Sequence, residues 1–551
     1  MILKKTPKLA GLLFSSLLPL LSLNHTAFAA DVPAGVKLAK KQIFNVGIGA
    51  EVPSLDPQKA QDNVSGRVIF DLFEGLLADN EKGEISAAIA SKWEISKDGL
   101  LYTFHIRPNA KFSDGSPITS DDVLFSMRRL VDPKIASAYA ELINMVKNAA
   151  EIATGQKKPD ELGVKALDKN TVQFTLIKPC PYFLKIIAFQ NLSIVQKANV
   201  EKFGDQFSQP GNLVASGAYK LKYWKIGDKI TTERNPQYWN NSKTVIDSVN
   251  YYPISDVNTE LQMFQTGQLD FTYDIPSDKF QDLKKTLGNQ LKAKPYLSTY
   301  YIALNTQTEP LKNNVKLRQA LSMAIDRKIL TEKVTGRGEM PANDIVPFGM
   351  PGYKQQSYSW DKLPPAQRIA EAQKLYKEAG YSREKPLNLS FTYNTNTLHK
   401  KVAIALASMW EQNLGVKISL INQEWKVFLT ERNQGRFVLA RDGWVADYSD
   451  PSTFLDLFIS HNPQNNPKYK NPKYDELIQK ASLETNQNKR SELLQQASAV
   501  MLNDYPIISL YTYVTTHLVK NHVGGYTGEN PLDHQFTKNF YIVDSLTSAI
   551  R

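Results

Sequence analysis

The first half of the chain alternates apolar and polar positions in short runs, which predicts β-strands. Residues 42–48 and 102–107 alternate with the period of two that a half-buried strand shows. Residues 163–176 predict two strands around an Asp168-Lys169-Asn170 turn, and a further strand pair begins at Ser216 and ends near Arg234. Sheet structure is therefore expected throughout this half.

Two helices are predicted among these strands from an apolar repeat close to that of an α-helix. Residues 68–77 place three apolar side chains on one face, behind a polar loop at residues 58–63. Farther along, Thr119 and Asp122 form a capping pair ahead of an apolar stripe that reaches Leu130. The first half is thus expected to combine helices with sheets.

The second half opens with a tyrosine-rich strand at residues 296–305 and a helix at residues 315–324. Beyond them, helices and strands alternate. The predicted helices are residues 365–379 and 399–414, each followed by a glycine, and the predicted strands are residues 387–393 and 416–420. Such alternation is typical of an α/β layer with a partly parallel sheet.

A short segment, residues 441–448, combines a guanidinium, an indole, a phenol and a carboxylate behind a strand-like run at residues 437–440. A carboxylate partly buried by apolar neighbours is costly unless a cation pairs with it. Asp447 therefore either pairs with a protein cation such as Arg441, or lies solvated in a loop, or receives the ammonium of a ligand. In the last case, the backbone of residues 443–446 offers an edge on which an extended ligand can pair.

The N-terminus indicates the compartment. Residues 1–29 contain three lysines, an apolar run and a final Ala27-Phe28-Ala29, which together predict a cleaved secretory signal peptide. Its removal takes the three lysines and lowers the formal net charge from +11 to +8. No later stretch approaches a membrane-spanning length, and no Lys/Arg block of the nucleic-acid-binding kind occurs. We expect an exported, soluble protein that binds no nucleic acid.

Signatures of catalysis and cofactor binding are absent from the sequence. It contains no Gly-rich phosphate loop, HExxH, GxSxG or CxxC motif, and its histidines lack the spacing of metal ligands. Cys180 is the only cysteine, so no internal disulfide is possible, and it is interpreted as a small buried residue. We expect no enzymatic activity, no metal and no cofactor.

Ordered motifs along the chain are typical of one family. They are Ser54-Leu55-Asp56-Pro57, Asp71-Leu72-Phe73-Glu74-Gly75-Leu76, Phe112-Ser113-Asp114-Gly115, Tyr238-Trp239-Asn240-Asn241, His399-Lys400-Lys401, Asn422-Gln423-Glu424-Trp425-Lys426, Gly443-Trp444 with Ala446-Asp447-Tyr448, and Gly524-Gly525-Tyr526-Thr527-Gly528. Through them the chain, from residue 30 almost to its end, resembles the periplasmic oligopeptide-binding members of solute-binding family 5, the peptide/nickel type that serves ABC importers.

The resemblance implies an α/β, two-lobed fold of the periplasmic binding protein type II class, with three domains and a hinge between the lobes. Domain I would comprise residues 30–73, 197–298 and 515–551, domain II residues 74–196, and domain III residues 299–514. Two chain crossings near Tyr300 and Tyr513 would form the hinge. Proteins of this kind close around their ligands by bending at such a hinge.

The resemblance also implies roles for individual residues. Asp447 falls where similar proteins bind the α-ammonium of a peptide, and the backbone of Gly443, Trp444 and Val445 would contact the main chain of the ligand. The family shapes side-chain pockets at positions matching Trp425, Trp444 and Tyr301, and closes domain II over the ligand at the position of Tyr139.

Three further positions match those that meet the C-terminal carboxylates of peptides of different lengths, and they are Arg432, Arg441 and His399. The alternative for the two arginines is a salt bridge to a local acid, Glu431 or Asp442.

The chain also departs from the family pattern near the expected site. A lysine that serves the C-terminus of the ligand is replaced by Thr335, with Arg337 two residues on, and Gln61 and Asn63 stand where an acid and a valine approach the peptide. Length preference and side-chain preference are therefore open.

The expected function is a monomeric receptor that captures short peptides, of about two to five residues, and delivers them to an inner-membrane ABC permease. A murein-tripeptide receptor of the same family is the alternative, with Arg432 meeting an additional carboxylate of the ligand. A periplasmic chaperone and a secreted peptidase are the alternatives from other classes, although a peptidase would need a nucleophile or metal.

Overall fold

The computed structural model describes residues 30–180, 182–350, 352–484 and 486–544. The predicted signal peptide, residues 1–29, lies outside the described residues. The strands are β1 Ile43–Gly47, β2 Leu77–Asp79, β3 Ile85–Ala87, β4 Ala90–Ile95, β5 Leu101–Ile106, β6 Val164–Asp168, β7 Thr171–Thr175, β8 Tyr219–Lys225, β9 Lys229–Arg234, β10 Ser248–Tyr252, β11 Leu291–Leu304, β12 Met340–Pro341, β13 Asn388–Asn394, β14 Lys417–Gln423, β15 Leu439–Val445, β16 Ile507–Leu518, β17 Val523–Gly524 and β18 Tyr541–Ile542.

The α-helices lie between and around these strands. They are α1 Asn63–Leu72, α2 Ser120–Val131, α3 Ala149–Ala153, α4 Phe183–Ile187, α5 Lys197–Phe203, α6 Val257–Gln265, α7 Phe280–Leu287, α8 Val315–Met323, α9 Arg327–Ile329, α10 Pro365–Glu378, α11 Thr397–Leu414, α12 Trp425–Asn433, α13 Ser452–Leu455, α14 Pro472–Leu483 and α15 Gln487–Asp504. Within the described residues, no helix has both the length and the apolar character needed to cross a membrane.

Three sheets organise the molecule. One has the order β1-β10-β9-β8, and another has the order β4-β5-β7-β6. The largest has the order β12-β16-β11-β15-β13-β14, and within it β13 runs parallel to both β14 and β15. We call the part built on the two four-stranded sheets the first lobe and the part built on the six-stranded sheet the second lobe. The expected α/β class with a partly parallel sheet is confirmed.

Most predicted elements are found with ends that the local chemistry explains. Helix α11 begins where the Asn396 side chain accepts hydrogen bonds from the backbone N–H groups of Leu398 and His399, and it ends at Gly415, whose φ is 81°. Helix α2 begins behind Thr119, whose backbone N–H donates to Asp122 Oδ2 at 3.0 Å. Side chains that accept orphan N–H groups therefore mark where these helices start.

One helix lies earlier than the apolar repeat predicts. The prediction of residues 68–77 is wrong, because α1 spans Asn63–Leu72. Asp62 accepts a hydrogen bond from the Ser65 N–H at 2.9 Å and so starts the helix inside the predicted polar loop. Phe73 is extended, with φ −129° and ψ 156°, and ends it. The polar side chain at the cap, rather than the apolar repeat, determines where this helix begins.

The chain passes between the lobes along β11 and β16, which pair with each other. The ladder runs from Leu291↔Leu518 to Pro295↔Val514, is interrupted, and resumes at Thr299↔Thr512. At the first-lobe end, Phe271 bridges β1 at Val46 and the chain after β16 at Val519. The two crossings thus form one paired ribbon with an irregular step in its middle. The exact domain boundaries stay a prediction.

Buried clusters follow the sheets, with one exception that links the lobes. The core beside the β4-β5-β7-β6 sheet contains Phe104, Phe174 and the predicted buried Cys180, which is 4% exposed. Tyr448, which follows β15 in the second lobe, is buried in this same core, and Trp444 packs against it. The lobes therefore make direct contact beside the segment that carries Asp447.

Candidate binding cleft

Two adjoining cavities of about 140 and 180 Å³ lie between the lobes, and we call them the first and the second cavity. Residues of both lobes line both cavities. The shared lining residues are Asn63, Val64, Tyr273, Asp274, Tyr296, Val445, Asp447 and Tyr513. The two cavities therefore form one cleft, and eleven of the thirteen residues predicted for the site line the second cavity or both.

Strand β15 presents an unpaired edge to this cleft. On one side it pairs with β11 from Leu304↔Leu439 to Ser298↔Val445, whereas β13 pairs with it only at Leu439 and Ala440. Because the Ala446 N–H donates to the Leu297 carbonyl at 2.8 Å, alternation turns the backbone groups of Gly443 and Val445 toward the other side. No described strand pairs with residues 441–445 there.

Gly443 keeps the wall of the second cavity open. A Cβ at this position would lie 3.3 Å from the Thr299 carbonyl oxygen, 3.4 Å from Arg441 Nη2 and 3.4 Å from Tyr513 Oη. Its N–H donates to Asp442 Oδ1 at 2.9 Å. A larger residue would therefore crowd the surface along which an extended ligand would lie.

Asp447 is buried in the cleft, where a threonine rather than a cation holds its carboxylate among the residues described. It is 8% exposed, its N–H donates to Thr453 Oγ1 at 3.0 Å, and the Thr453 hydroxyl donates to Oδ2 at 3.0 Å. Burial raises the pKa of Asp447 to about 7, although hydrogen bonds from Thr453 and Tyr139 and the charge of His534 act in the opposite direction. Its carboxylate forms no ion pair with any described residue.

Arg441 is not paired with Asp447. Its Nη2 donates to Tyr513 Oη at 2.8 Å, and its guanidinium lies 5.1 Å from the centre of the Tyr300 ring. Among the described residues, no acid lies within ion-pair distance of it, and its Nε has no hydrogen-bond partner. The structure therefore contains neither of the two ion pairs considered for Arg441, the one with Asp447 or the one with Asp442.

His399 lies beside Arg441 on the wall of the second cavity. Burial, followed by the charges of Arg441 and Arg337, holds the pKa of His399 well below its usual range. The imidazole is therefore neutral near pH 7, and its Nδ1 has no partner among the described residues. A neutral imidazole with a free guanidinium beside it can still donate hydrogen bonds to a carboxylate.

The other two predicted arginines are already neutralised by the protein. Arg432 Nη1 forms a buried ion pair with Asp442 Oδ1 at 2.6 Å, which is the local salt bridge considered as its alternative. Arg337 pairs with Asp274 and, at 2.8 Å, with Glu339. Arg432 lines the second cavity and Arg337 the first, so both reach the cleft with their charges compensated.

Aromatic side chains form much of the second cavity. Trp425, Trp444 and Tyr139 all line it, and the Tyr139 and Trp444 ring centres are 6.2 Å apart. Tyr301 lines neither cavity. It is 1% exposed and packs edge-on against Phe458, 6.2 Å away, in a core of the second lobe. Since successive side chains of a strand point to opposite faces, Tyr301 points away from the cleft, and the structure does not bring it to the pocket where it was expected.

Gln61 and Asn63 approach the cleft from the start of α1. Gln61 Oε1 accepts a hydrogen bond from Asn433 Nδ2 of the second lobe at 2.7 Å. Asn63 Nδ2 donates to Tyr296 Oη at 3.4 Å, and Asn63 lines both cavities. These two residues therefore contribute neutral amides to the region where the lobes meet.

The first cavity was largely missed by sequence reasoning. Its further lining residues include Arg67, Phe70, Phe189, Phe271, His517 and His534. Its two histidines are held by carboxylates, with His517 Nε2 2.9 Å from Asp533 and His534 Nδ1 2.8 Å from Asp79. No local motif indicated these residues, because they come from segments that are distant in the chain. Among the described residues, no group of three potential ligands is placed to hold a metal ion.

Comparison with known proteins identifies relatives along nearly the whole chain. The family model described as bacterial extracellular solute-binding proteins, family 5 Middle, matches residues 84–466, more than half of the chain. The periplasmic oligopeptide-binding protein OppA of Salmonella typhimurium is 45% identical over 97% of this chain and 98% of its own. The periplasmic murein peptide-binding protein MppA of Escherichia coli is 40% identical over 95% and 97%.

Solved structures match the fold and distinguish two arrangements. Haemophilus influenzae OppA in complex with RPPGFSPFR matches with a TM-score of 0.90 at 39% identity, covering 92% of this chain and 100% of that one. The unliganded open form of MppA matches with a TM-score of 0.64 at 40% identity, covering 94% and 100%. Because the identities are nearly equal, the lower score indicates that the two lobes here are not arranged as in that open form.

Proposed function

Because the chain belongs to family 5 of the bacterial extracellular solute-binding proteins, we propose that it is the peptide-capturing component of an ABC importer. It binds short peptides between its lobes and delivers them to an inner-membrane permease. It acts in the periplasm, the compartment stated in the names of its OppA relatives.

The observation that carries the proposal is the state of Asp447. An ionised carboxylate buried in the cleft with no ion-pair partner among the described residues is unfavourable by itself, and the α-ammonium of a peptide compensates it. Any primary ammonium would offer the same charge, so the rest of the cleft must identify the ligand as a peptide.

The open edge of β15 supplies that selectivity. An extended peptide adds as a strand along Gly443 and Val445, through main-chain hydrogen bonds that do not depend on side-chain identity. Its C-terminal carboxylate meets Arg441, with His399 beside it, on the wall of the second cavity. The ligand is therefore recognised by what all peptides share: two charged ends and a backbone.

The proposed ligands are about two to five residues long, a range that the comparisons leave open. The OppA relative of Haemophilus influenzae carries the nine-residue RPPGFSPFR in its structure, so a length series is part of the test. The murein alternative is less well supported, because the Arg432 charge that would meet an additional carboxylate is engaged by Asp442 at 2.6 Å.

Calorimetric titration at pH 7.5 tests the proposal. The protein is first unfolded and refolded to remove bound peptide, and is then titrated with trialanine, with N-acetyl-trialanine, and with free peptides of two to nine residues. N-acetylation is expected to weaken binding at least about a hundredfold, because it removes the cation from a buried pair. Asp447→Ala should bind both tripeptides almost equally, and more weakly than the parent protein binds free trialanine.

Equal binding of the free and acetylated tripeptides by the parent protein would overturn the proposal, and so would no binding of any peptide. Preference for unfolded proteins over short peptides would instead favour a chaperone. Recovery of cleaved peptide from the titration cell would favour a peptidase.

A further inference from the structure

A pair of tyrosines joins the lobes outside the binding cleft. Tyr182 lies immediately before α4 in the first lobe, and Tyr448 follows Asp447 in the second. Their ring centres are 5.0 Å apart and their planes differ by 5°, so the rings are stacked. Aromatic stacking of this kind adds stabilisation beyond the burial of apolar area.

An arginine of the second lobe completes the contact. Arg490 in α15 donates from both terminal nitrogens to Asp450, at 2.8 and 2.9 Å, and this fork fixes its guanidinium. The guanidinium carbon lies 5.2 Å from the centre of the Tyr182 ring. Tyr182 of the first lobe therefore contacts two groups of the second lobe. One is the ring of Tyr448, and the other is the Arg490 guanidinium, which Asp450 holds in place.

The loop that carries Tyr448 also carries Asp447, and internal hydrogen bonds make it one unit. Thr453 holds the Asp447 carboxylate and its N–H, both at 3.0 Å. Ser452 donates to Asp450 from its N–H at 3.0 Å and its hydroxyl at 2.7 Å, and its oxygen lies 3.2 Å from Tyr448 Oη. A force applied at Tyr448 is therefore transmitted to Asp447 through the loop itself.

Neither Tyr182, Tyr448 nor Arg490 lines the first or the second cavity. Their contact therefore responds to the distance between the lobes and to the position of the loop, and not to the ligand directly. We call the three residues the interlobe latch.

We propose that Tyr182 is a positioning residue for ligand capture. By stacking on Tyr448 beneath Arg490, it fastens the loop of Asp447 to the opposite lobe when the cleft closes, and so slows ligand release. This inference rests on the proposed function. It adds that retention of the ligand depends on a ligand-independent contact, and that this contact acts on the same loop that binds the ammonium.

A double-mutant cycle on the dissociation rate tests the latch. The dissociation rate constant of a fluorescent tripeptide with a free N-terminus is measured for the parent, Tyr182→Ala, Tyr448→Ala and the double variant. Tyr448→Ala is expected to raise this rate constant about fivefold, because the stacked ring is lost. Tyr182→Ala also loses the Arg490 contact and should raise the rate constant at least as much. The double variant should not exceed Tyr182→Ala, because the stacking can be lost only once. Tyr182→Phe keeps the stacked ring and should restore the parent value.

The matched control is Tyr381→Ala. Tyr381 stacks on Tyr376 at 5.7 Å within the second lobe and lines neither cavity, so its removal should leave the dissociation rate constant unchanged. The urea midpoint of unfolding is measured for every variant, so that dissociation rate constants are compared only between variants that are folded under the assay conditions.

An unchanged dissociation rate constant for Tyr182→Ala would overturn the latch, and so would an additive effect of at least about 25-fold in the double variant. Both results leave the proposed function intact, since the parent still binds peptide. Failure of the parent to bind any peptide would overturn the proposed function and the latch together.

Discussion

The preference of the protein for a free over an acetylated N-terminus should depend on pH through Asp447. In a complex with an acetylated peptide, Asp447 remains buried without an ion-pair partner, as in the structure, where burial raises its pKa to about 7. In a complex with a free peptide, the ammonium lowers that pKa and keeps the carboxylate ionised. The ratio of the affinities for the free and the acetylated peptide depends only on the two complexes, because the ligand-free protein is common to both.

The magnitude follows from the pKa. A rise from 3.8 to about 7 corresponds to roughly 4 kcal/mol for keeping an ionised, unpaired carboxylate in the closed cleft. This gives a preference of up to about a thousandfold for the free peptide above pH 7. The raised pKa belongs to the acetylated complex, so that complex gains stability as the pH falls below 7, about tenfold per unit. The preference should therefore fall about a hundredfold between the plateau and pH 5.

The assay is a pair of calorimetric titrations, with trialanine and N-acetyl-trialanine, at half-unit steps from pH 5 to 8. Glu141 and Asp456 also have pKa values raised to about 7 by burial at the contact between the lobes. They are protonated alike in both closed complexes, so their effect cancels in the ratio. In Asp447→Asn, which cannot ionise, the ratio should be small and flat.

A ratio of the two affinities that stays constant between pH 5 and 8 in the parent protein would refute the reasoning. Asp447 is the described residue proposed to bind the ammonium, so its titration must change the ratio. A ratio that rises as the pH falls would mean that the acetylated complex does not hold an unpaired carboxylate.

Three substitutions separate binding from stability elsewhere in the cleft. Arg441→Gln should raise the Kd of a tripeptide about 30-fold and abolish its preference over the C-terminal amide in titrations, since a charge-assisted contact is lost; an unchanged preference would place the carboxylate elsewhere. Gly443→Ala should raise the Kd about tenfold with little change in Tm, because the added methyl group narrows the wall beside Tyr513; a normal Kd would mean that the ligand does not follow β15. Arg432→Gln should lower the free energy of unfolding in urea by about 3–5 kcal/mol, because it leaves Asp442 buried and unpaired, with a nearly unchanged Kd; the reverse pattern would make Arg432 a ligand contact.

Sequence patterns predicted the elements of the second lobe well. Alternation of helices and strands led to a partly parallel sheet, and glycines marked the ends of α10 and α11. The start of α1 was missed, because a single side chain, Asp62, overrides the apolar repeat there. Periodicity thus reports which face of an element is buried, while its ends depend on individual polar contacts.

The site was predictable where its residues lie close together in the sequence and where the family resemblance assigns them a role. Asp447, Gly443 and Arg441 lie on one strand and its loop, and they reach the cleft as expected. The pairing of Arg432 with Asp442 and the inward position of Tyr301 depend on register and on which sheet face is covered. His534 comes from a segment whose role depends entirely on long-range packing. Such features are decided by tertiary structure, which no local pattern encodes.

The pairing of β11 with β16 restricts how the two lobes can move relative to each other. Since β11 and β16 are hydrogen-bonded to each other on both sides of their irregular step, they cannot slide past one another without breaking the ladder. A two-stranded ribbon is expected to bend more easily out of its own plane than within it, so a movement of the lobes about β11 and β16 would be a rotation and not a slide.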